Sequence, residues 1–467
     1  MKDNTLALAH ENIGSLVLKF SLPSIVGMLA NGLSIVADRI FVGRGVGPSA
    51  LAGVAIVFPL VLFTQAFSML IGHGAATIVS LRLGQGRRAE SETLLGTATT
   101  LAAIVGMVLV VIVGLFVRPL LTAFGGSGPV LQYAMRFTIV LLPGLFLQVL
   151  GFVLNNMIRS QGNPVIALVT MLVSVCINCA LNPVFIFGLK LGIAGSALAT
   201  DVANALVVVW LLALYRRPGQ GLRLRFANLG IDRKATLDLV GAGLAPCSMQ
   251  LANGATLILA NHLVCIYGGA DGIAVLGIAT GLFTLMLMPL IGIRQGIQPI
   301  IGYNYGASAF GRVRAAVVIS LTATGVLCGA VYLVFFVFSR AILELFVKDA
   351  PSIVALGVPS LRIFLASVPV VGIAVVGSVY FQSVKKSGTA LLVTLVRQVI
   401  VLVPLYVVLP YWFGLTGVWL AGPLSDLAAA LLTAALLVPE MQTLARMTLK
   451  SPEMNVHTPS LTSTSTA

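Results

Sequence analysis

Residues 191–201 read LGIAGSALATD, and residues 416–426 read TGVWLAGPLSD. Both are apolar, rich in small residues, and end in a hydroxyl residue followed by an acid: Thr200 and Asp201 in one, Ser425 and Asp426 in the other. Outward from this pair, LANG at 29–32 recurs at 251–254, Gly74 with Gly84 matches Gly296 with Gly306, and Arg136 with Pro143 matches Arg362 with Pro369. The order is kept from end to end, so the chain is a duplication.

Each copy holds six apolar runs long enough, at about 20 residues, to cross a bilayer. They fall near 15–42, 49–80, 92–117, 131–156, 164–187 and 192–215, then near 238–264, 272–301, 313–338, 355–382, 389–410 and 416–440. The chain is 58% hydrophobic and 9% charged, with a mean hydropathy of +1.05, against about 25% charged residues in a soluble domain. The expected fold is an all-α integral membrane protein of twelve transmembrane helices in two six-helix bundles. An even number of crossings per copy gives both the same orientation, so the bundles are related by a pseudo-twofold axis along the membrane normal. Expected boundaries are 1–215 for the first bundle, 216–237 for a linker, 238–445 for the second bundle and 446–467 for a disordered tail. Pro23, Pro143, Pro183, Pro246, Pro289, Pro369 and Pro404 fall inside or near the ends of the runs, where kinks are expected.

The net charge of +14 resides in short loops rather than in a basic face or domain, which argues against nucleic acid as a partner. About 17 of the 28 Lys and Arg lie on the N-terminal side and about five opposite, so the positive-inside rule places both termini in the cytoplasm. The start, MKDNTLALAHENIG, lacks the basic and cleavage regions of a secretory signal. Five Cys and four His are too scattered for a disulfide framework, and the CxxC of Cys176 and Cys179 has no second pair. Without a phosphate loop, an HExxH, or a Ser/His, paired-Asp or metal-ligand constellation, neither ATP-driven transport within this chain nor enzyme chemistry is expected. No cofactor is called for.

Charge inside an apolar run needs a reason, because it costs about 2.5–3.5 kcal/mol per residue at the centre of a membrane helix. LSIVADRIFVG, residues 33–43, carries Asp38 beside Arg39. Asn31, Ser34 and Asp38, spaced i, i+3, i+7, share one helix face, and Arg39 points about 100 degrees away. The fifth run carries Ser174, Asn178 and Asn182, and the sixth carries Ser196, Thr200 and Asn204, each at i, i+4, i+8. Asp38, Asn182 and Thr200 lie at similar depth, about 7–12 Å from the far ends of their helices, so one site can hold them all. The second copy has Asn261 or Ala260, Pro404, Val408 and Ser425 at the positions of Asp38, Asn178, Asn182 and Thr200. The cluster therefore belongs to the first half alone, which suits a small-cation or proton site. Asp201 and Asp426 recur in both copies, which suits a structural role such as partnering an Arg. The second half keeps different polar groups, among them Gln250, Asn253, Arg294, Gln295, Gln298, Arg397 and Gln398, and His73 and His262 read as packing residues.

The sequence resembles the multidrug and toxic compound extrusion (MATE) family, in particular its bacterial MepA-like branch. FSLPSIVGMLANGLSIVADRIFVG, GHGAATIVSLRLGQG, RSQGNP, SVCINCALNPVFIFGLKLGIAGSALAT, PIIGYNYGA and FGLTGVWLAGPLSD carry the likeness by their order and spacing. The resemblance implies an antiporter of the bacterial cytoplasmic membrane that exchanges Na+ or H+ for amphipathic, often cationic compounds by alternating access. It implies a coupling cavity at Asp38, Asn178, Asn182 and Thr200, with Asp38 a Na+ ligand if Na+ is the ion; the polar stripes and the repeat add Asn31, Ser34, Ser174 and Asp201 as supporting polar groups. Gln250, Asn253, Met286, Arg294 and Gln298 are the substrate-cavity candidates, with Phe63 and Phe67 on the second helix and Phe283 and Met288 on the eighth. Relatives often carry Asp where this chain has Asn182, which leaves one acidic ligand and both ions open. A monomer is expected. The alternative within the same superfamily is a lipid-linked oligosaccharide flippase, whose cavity would need several cations facing a pyrophosphate, and Arg294 and Arg397 are the candidates.

Overall fold

The computed structural model describes residues 5–216, 221–346 and 351–450. Its helices follow the apolar runs. We label the spans α1 (Ile13–Gly45), α2 (Pro48–Gly84), α3 (Arg88–Ala123), α4 (Gly128–Ser160), α5 (Pro164–Gly188), α6 (Ile193–Arg216), α7 (Arg233–Gly269), α8 (Asp271–Gly306), α9 (Phe310–Val337), α10 (Pro351–Phe364 with Val368–Ser383), α11 (Ser387–Phe413) and α12 (Leu415–Lys450). Among the described residues eleven helices are long and apolar enough to cross a membrane, and the bent pair in α10 makes a twelfth.

The departures from straight helix have local causes. α10 bends by 40° at its break, where Pro369 sits in the first turn of the second piece and leaves a helix-breaking gap in N–H donors. α5 ends in a wide π turn at Val184–Gly188, directly after Pro183, and α11 contains one at Val396–Val401. Pro404 would set its ring against the Ile400 carbonyl four residues back, and the wider turn gives that carbonyl room. α7 and α8 meet at Gly269, whose φ of 58 and ψ of −151 belong to a region open essentially to glycine alone.

α7 begins at Arg233 rather than at 238, because the Asp232 side chain accepts from the backbone N–H groups of Lys234 and Ala235 at 2.8 and 3.2 Å and caps the helix. α12 continues to Lys450. The disordered tail expected beyond it lies outside the described residues, as does the linker stretch 217–220.

Four apolar cores hold the helices, and their membership shows how the halves meet. At the far end from the N-terminus the cores are separate: Val42, Val57, Phe137 and Ile186 lie in one, and Val264, Leu290, Leu361 and Trp419 in the other. At the near end each core borrows from the other half. Ile78, Leu95, Leu154 and Leu211 pack with Leu222, Ala235, Leu239 and Ala242, whereas Leu8, Leu16 and Phe20 pack with Ile300, Val313 and Tyr380.

The duplicated glycines line this near-end seam. A Cβ on Gly74 would lie 2.1 Å from the carbonyl oxygen of Leu239, and one on Gly296 would lie 2.7 Å from the backbone nitrogen of Ser21. Gly84 and Gly306 are likewise 2.0 and 2.1 Å from the carbonyl oxygens of Tyr303 and Leu81. Close approach of backbone to backbone across the seam requires residues without side chains. Arg82 of α2 adds an ion pair across it to Asp238 of α7 at 3.4 Å, and Lys385 joins Asp238 at 3.0 Å. The molecule is thus sealed at the near end and parted at the far end.

Candidate functional site

Three helices of the first bundle converge on one hydrogen-bonded cluster. Asn182 of α5 donates through Nδ2 to Asp38 Oδ1 of α1 at 2.7 Å, and to both Asn178 oxygens at 3.2 Å. Asn178 in turn donates to Thr200 Oγ1 of α6 at 3.1 Å and accepts from Ser34 Oγ at 3.3 Å. The i, i+4 spacings bring these groups together because each set lies on one helix face. Asn182 is fully buried, Asn178 and Ser34 are 7% and 8% exposed, and Asp38 is half-buried at the rim. Arg39 points away and stacks on Phe58, its Cζ 5.6 Å from the ring centroid.

Of the supporting residues, Ser34 joins the network. Asn31 is exposed and Ser174 half-buried, and neither shares in these hydrogen bonds. Asp201 is 7% exposed and lies against Gly144 of α4, where a Cβ would come within 1.9 Å of its Oδ1. That oxygen has no hydrogen-bond partner. Its counterpart Asp426 is fully engaged, with Arg397 Nε at 2.5 Å and Ser367 Oγ at 2.7 Å. The duplication therefore carries an ion pair in one copy and an unpaired acid in the other.

The arrangement suits a small cation or a proton. Among the described residues Asn182 Oδ1 is a buried acceptor without a donor, on the amide whose nitrogen donates to the Asp38 carboxylate. With Asp38, Asn178 and Thr200 it completes an all-oxygen set of the kind that hard cations take, and one carboxylate is equally able to take up a proton.

The substrate-cavity candidates divide. Gln298 faces the interbundle seam, donating to Thr77 Oγ1 at 2.7 Å and to the His73 carbonyl at 3.2 Å; among the described residues Arg294 reaches only the Met249 sulfur of its own bundle, at 3.9 Å. His73 itself packs edge-on against Phe152. Gln250 is half-buried, and the exposed Asn253 accepts a short hydrogen bond from Gln398. Met286 is 5% exposed within the far core of the second bundle, where Phe283 packs on Phe364; it is Met288 that meets α1, at Gly32.

Sequence reading missed Arg159 and Gln295 as a pair. Arg159 Nη1 donates to Gln295 Oε1 across the seam at 2.6 Å, and the guanidinium also reaches Asn156 and Asn155, both at 3.4 Å. α4 runs to Ser160 and takes Arg159 inside. The polar stripe of Asn155, Asn156, Arg159 and Ser160 at the end of an apolar helix was the available signal.

A sequence profile of the MatE family matches residues 23–184 and 244–408, one block in each bundle. The chain belongs to the MatE family. Similar proteins include the multidrug export protein MepA of Staphylococcus haemolyticus (strain JCSC1435), 26% identical over 419 residues, covering 90% of this chain and 92% of that one. MepA of Staphylococcus aureus (strain N315) is 23% identical over 437 residues, covering 92% and 96%. Among solved structures, an outward-facing multidrug resistance MATE family transporter of the MOP superfamily superposes with a TM-score of 0.88 at 22% identity, over 96% of this chain and all of that one. A MOP superfamily transporter from Pyrococcus furiosus, described as having a binding pocket of reversed polarity that suggests a different function, superposes with a TM-score of 0.89 at 22% identity, over 95% and 99%. As a MatE protein the chain is a multi-pass membrane transporter and not an enzyme, with small molecules and the lipid bilayer as its partners.

Proposed function

We propose that this MatE protein is an ion-coupled antiporter that exports amphipathic, mainly cationic compounds across the bacterial cytoplasmic membrane, as a monomer with both termini in the cytoplasm. The two bundles, bounded near 1–215 and 238–445, rock about the seam; the open far end then faces the exterior. The observation that carries this reading is the Asp38–Asn182–Asn178–Thr200 cluster, present in one bundle only. A coupling ion, H+ or Na+, neutralises Asp38 and lets the first bundle enclose it; loss of the ion favours the state in which water reaches the carboxylate. Export of multiple drugs by the MepA relatives supports the direction and the substrate class.

Expression in a bacterial host stripped of its own efflux pumps should lower ethidium accumulation and raise resistance to it. Unchanged accumulation, with the protein shown to be in the membrane, would refute the export reading. The flippase reading is weakened at one of its two cations, since Arg397 is tied to Asp426.

A further inference from the structure

We propose that the interbundle seam at Arg159 is an anion-binding subsite, which takes a single carboxylate- or phosphate-type group. Arg159 is 4% exposed, and every acceptor it reaches is neutral: two Asn oxygens, the Gln295 amide and the Met171 sulfur at 3.8 Å. Its Nε has no acceptor among the described residues. The half-buried Arg294 has a thioether as its partner. None of the ion pairs among the described residues includes either arginine.

A guanidinium withdrawn from water without a counter-charge, with a second one half-buried nearby, favours an anion. The free Nε–H beside an Nη–H is the edge that carboxylates and phosphates engage with two parallel hydrogen bonds. Arg159 borders a narrow cavity whose other polar walls are Asn156, Ser160, Gln295 and Gln298; their hydroxyl and amide groups already donate to Met157, Phe152, Met28, Thr77 and His73, which leaves the Arg159 guanidinium as the strongest donor an anion would meet there. No carboxylate lines it, so a cation finds no ligand there.

An anion would also act on the seam. A charged acceptor outcompetes the neutral Gln295 oxygen for Arg159, and Gln295–Arg159 is a cross-bundle contact. Binding therefore releases one of the links that hold the near end shut. The anion comes either from the exported compound, which would make zwitterionic amphiphiles preferred substrates and rests on the export reading above, or from a free inorganic anion.

A matched pair of dyes tests this on the purified full-length protein: rhodamine 110, which carries a free carboxylate, and rhodamine 123, its methyl ester. Fluorescence anisotropy should show the acid bound about tenfold more tightly, as one charge-assisted bidentate pair allows. Arg159→Gln should bring the two dyes to parity. Gln295→Glu should do the same while raising the melting temperature, because it places a carboxylate against the guanidinium from within; it carries the test if Arg159→Gln fails to fold. If the dyes bind alike but inorganic phosphate at constant ionic strength gives a saturable rise in melting temperature that both variants lose, the source is the free anion. No dye preference and no phosphate effect in the wild-type protein, or either effect persisting in Gln295→Glu, overturns the proposal. Ethidium export is read separately, so the export reading can stand when this one falls.

Discussion

Asp38 and Arg39 are neighbours in sequence with unrelated surroundings, one turned into a polar cluster and the other out onto Phe58. That division was legible beforehand, because a step of one residue is about 100 degrees on a helix and the partners of Asp38 recur at helical spacing. What could not be read was which members of each stripe close the network, since Asn31 and Ser174 fit the spacing as well as Ser34 does. Asp38→Asn preserves an acceptor for Asn182, so folding stability should change by about 1 kcal/mol or less. Ion-driven efflux in proteoliposomes should nevertheless vanish under both Na+ and pH gradients, and residual coupled transport would remove Asp38 from the mechanism. Asn182→Asp puts a second carboxylate within hydrogen-bonding reach of the first, which should increase the share of efflux that a Na+ gradient drives. The two duplicated acids should also part company. Arg397→Ala strands the buried Asp426 and should cost about 3–5 kcal/mol, visible as a lower melting temperature and yield. Asp201→Asn, with no charge partner to lose, should melt close to wild type.

At the level of elements, the order and placing of the spans followed from hydropathy, though α3 runs six residues and α12 ten residues past the expected ends, and Pro369 foretold the bend in α10. The irregularities in α5 and α11 fall beside Pro183 and Pro404, where kinks were expected, but their form as π turns did not show, because a wide turn has no composition of its own. The repeated glycines announced the duplication but not their purpose, which depends on facing a backbone from the other half. Gly306→Ala sets a Cβ where the Leu81 carbonyl stands, and neither backbone can yield without parting the helices. Overpacking of about 1–3 kcal/mol should shift the balance toward the form open at the near end by roughly 5- to 150-fold. Efflux should fall accordingly while the protein still reaches the membrane. Gly325→Ala, at a glycine with open space around it, should have no such effect.

For the whole molecule, alternating access requires the near end to open, and the seam supplies a place to stop it. An ideal Cβ on Gly302 lies 3.2 Å from that of Ser80, close to the 3.5–4.5 Å usual across a disulfide. In a background lacking Cys176, Cys179, Cys247, Cys265 and Cys328, Ser80→Cys with Gly302→Cys should oxidise readily. Transport should stop on oxidation and return with reductant; transport that continues across the closed bridge would exclude rocking about this seam.

The exchange of core residues at the near end also bears on how the chain is made. The first six helices are threaded into the membrane before Leu222, Ala235, Leu239 and Ala242 have left the ribosome, yet the core formed by Ile78, Leu95 and Leu154 includes them. Conversely, Leu8, Leu16 and Phe20 are synthesised first and find their core only when α8 to α10 arrive. Neither half of the gene product is a finished folding unit. A nascent chain halted at Arg216 should be recognised as incomplete and degraded, whereas one halted after α7 should survive longer, so the seventh helix, rather than the midpoint of the duplication, marks the first stage at which the nascent chain can escape quality control.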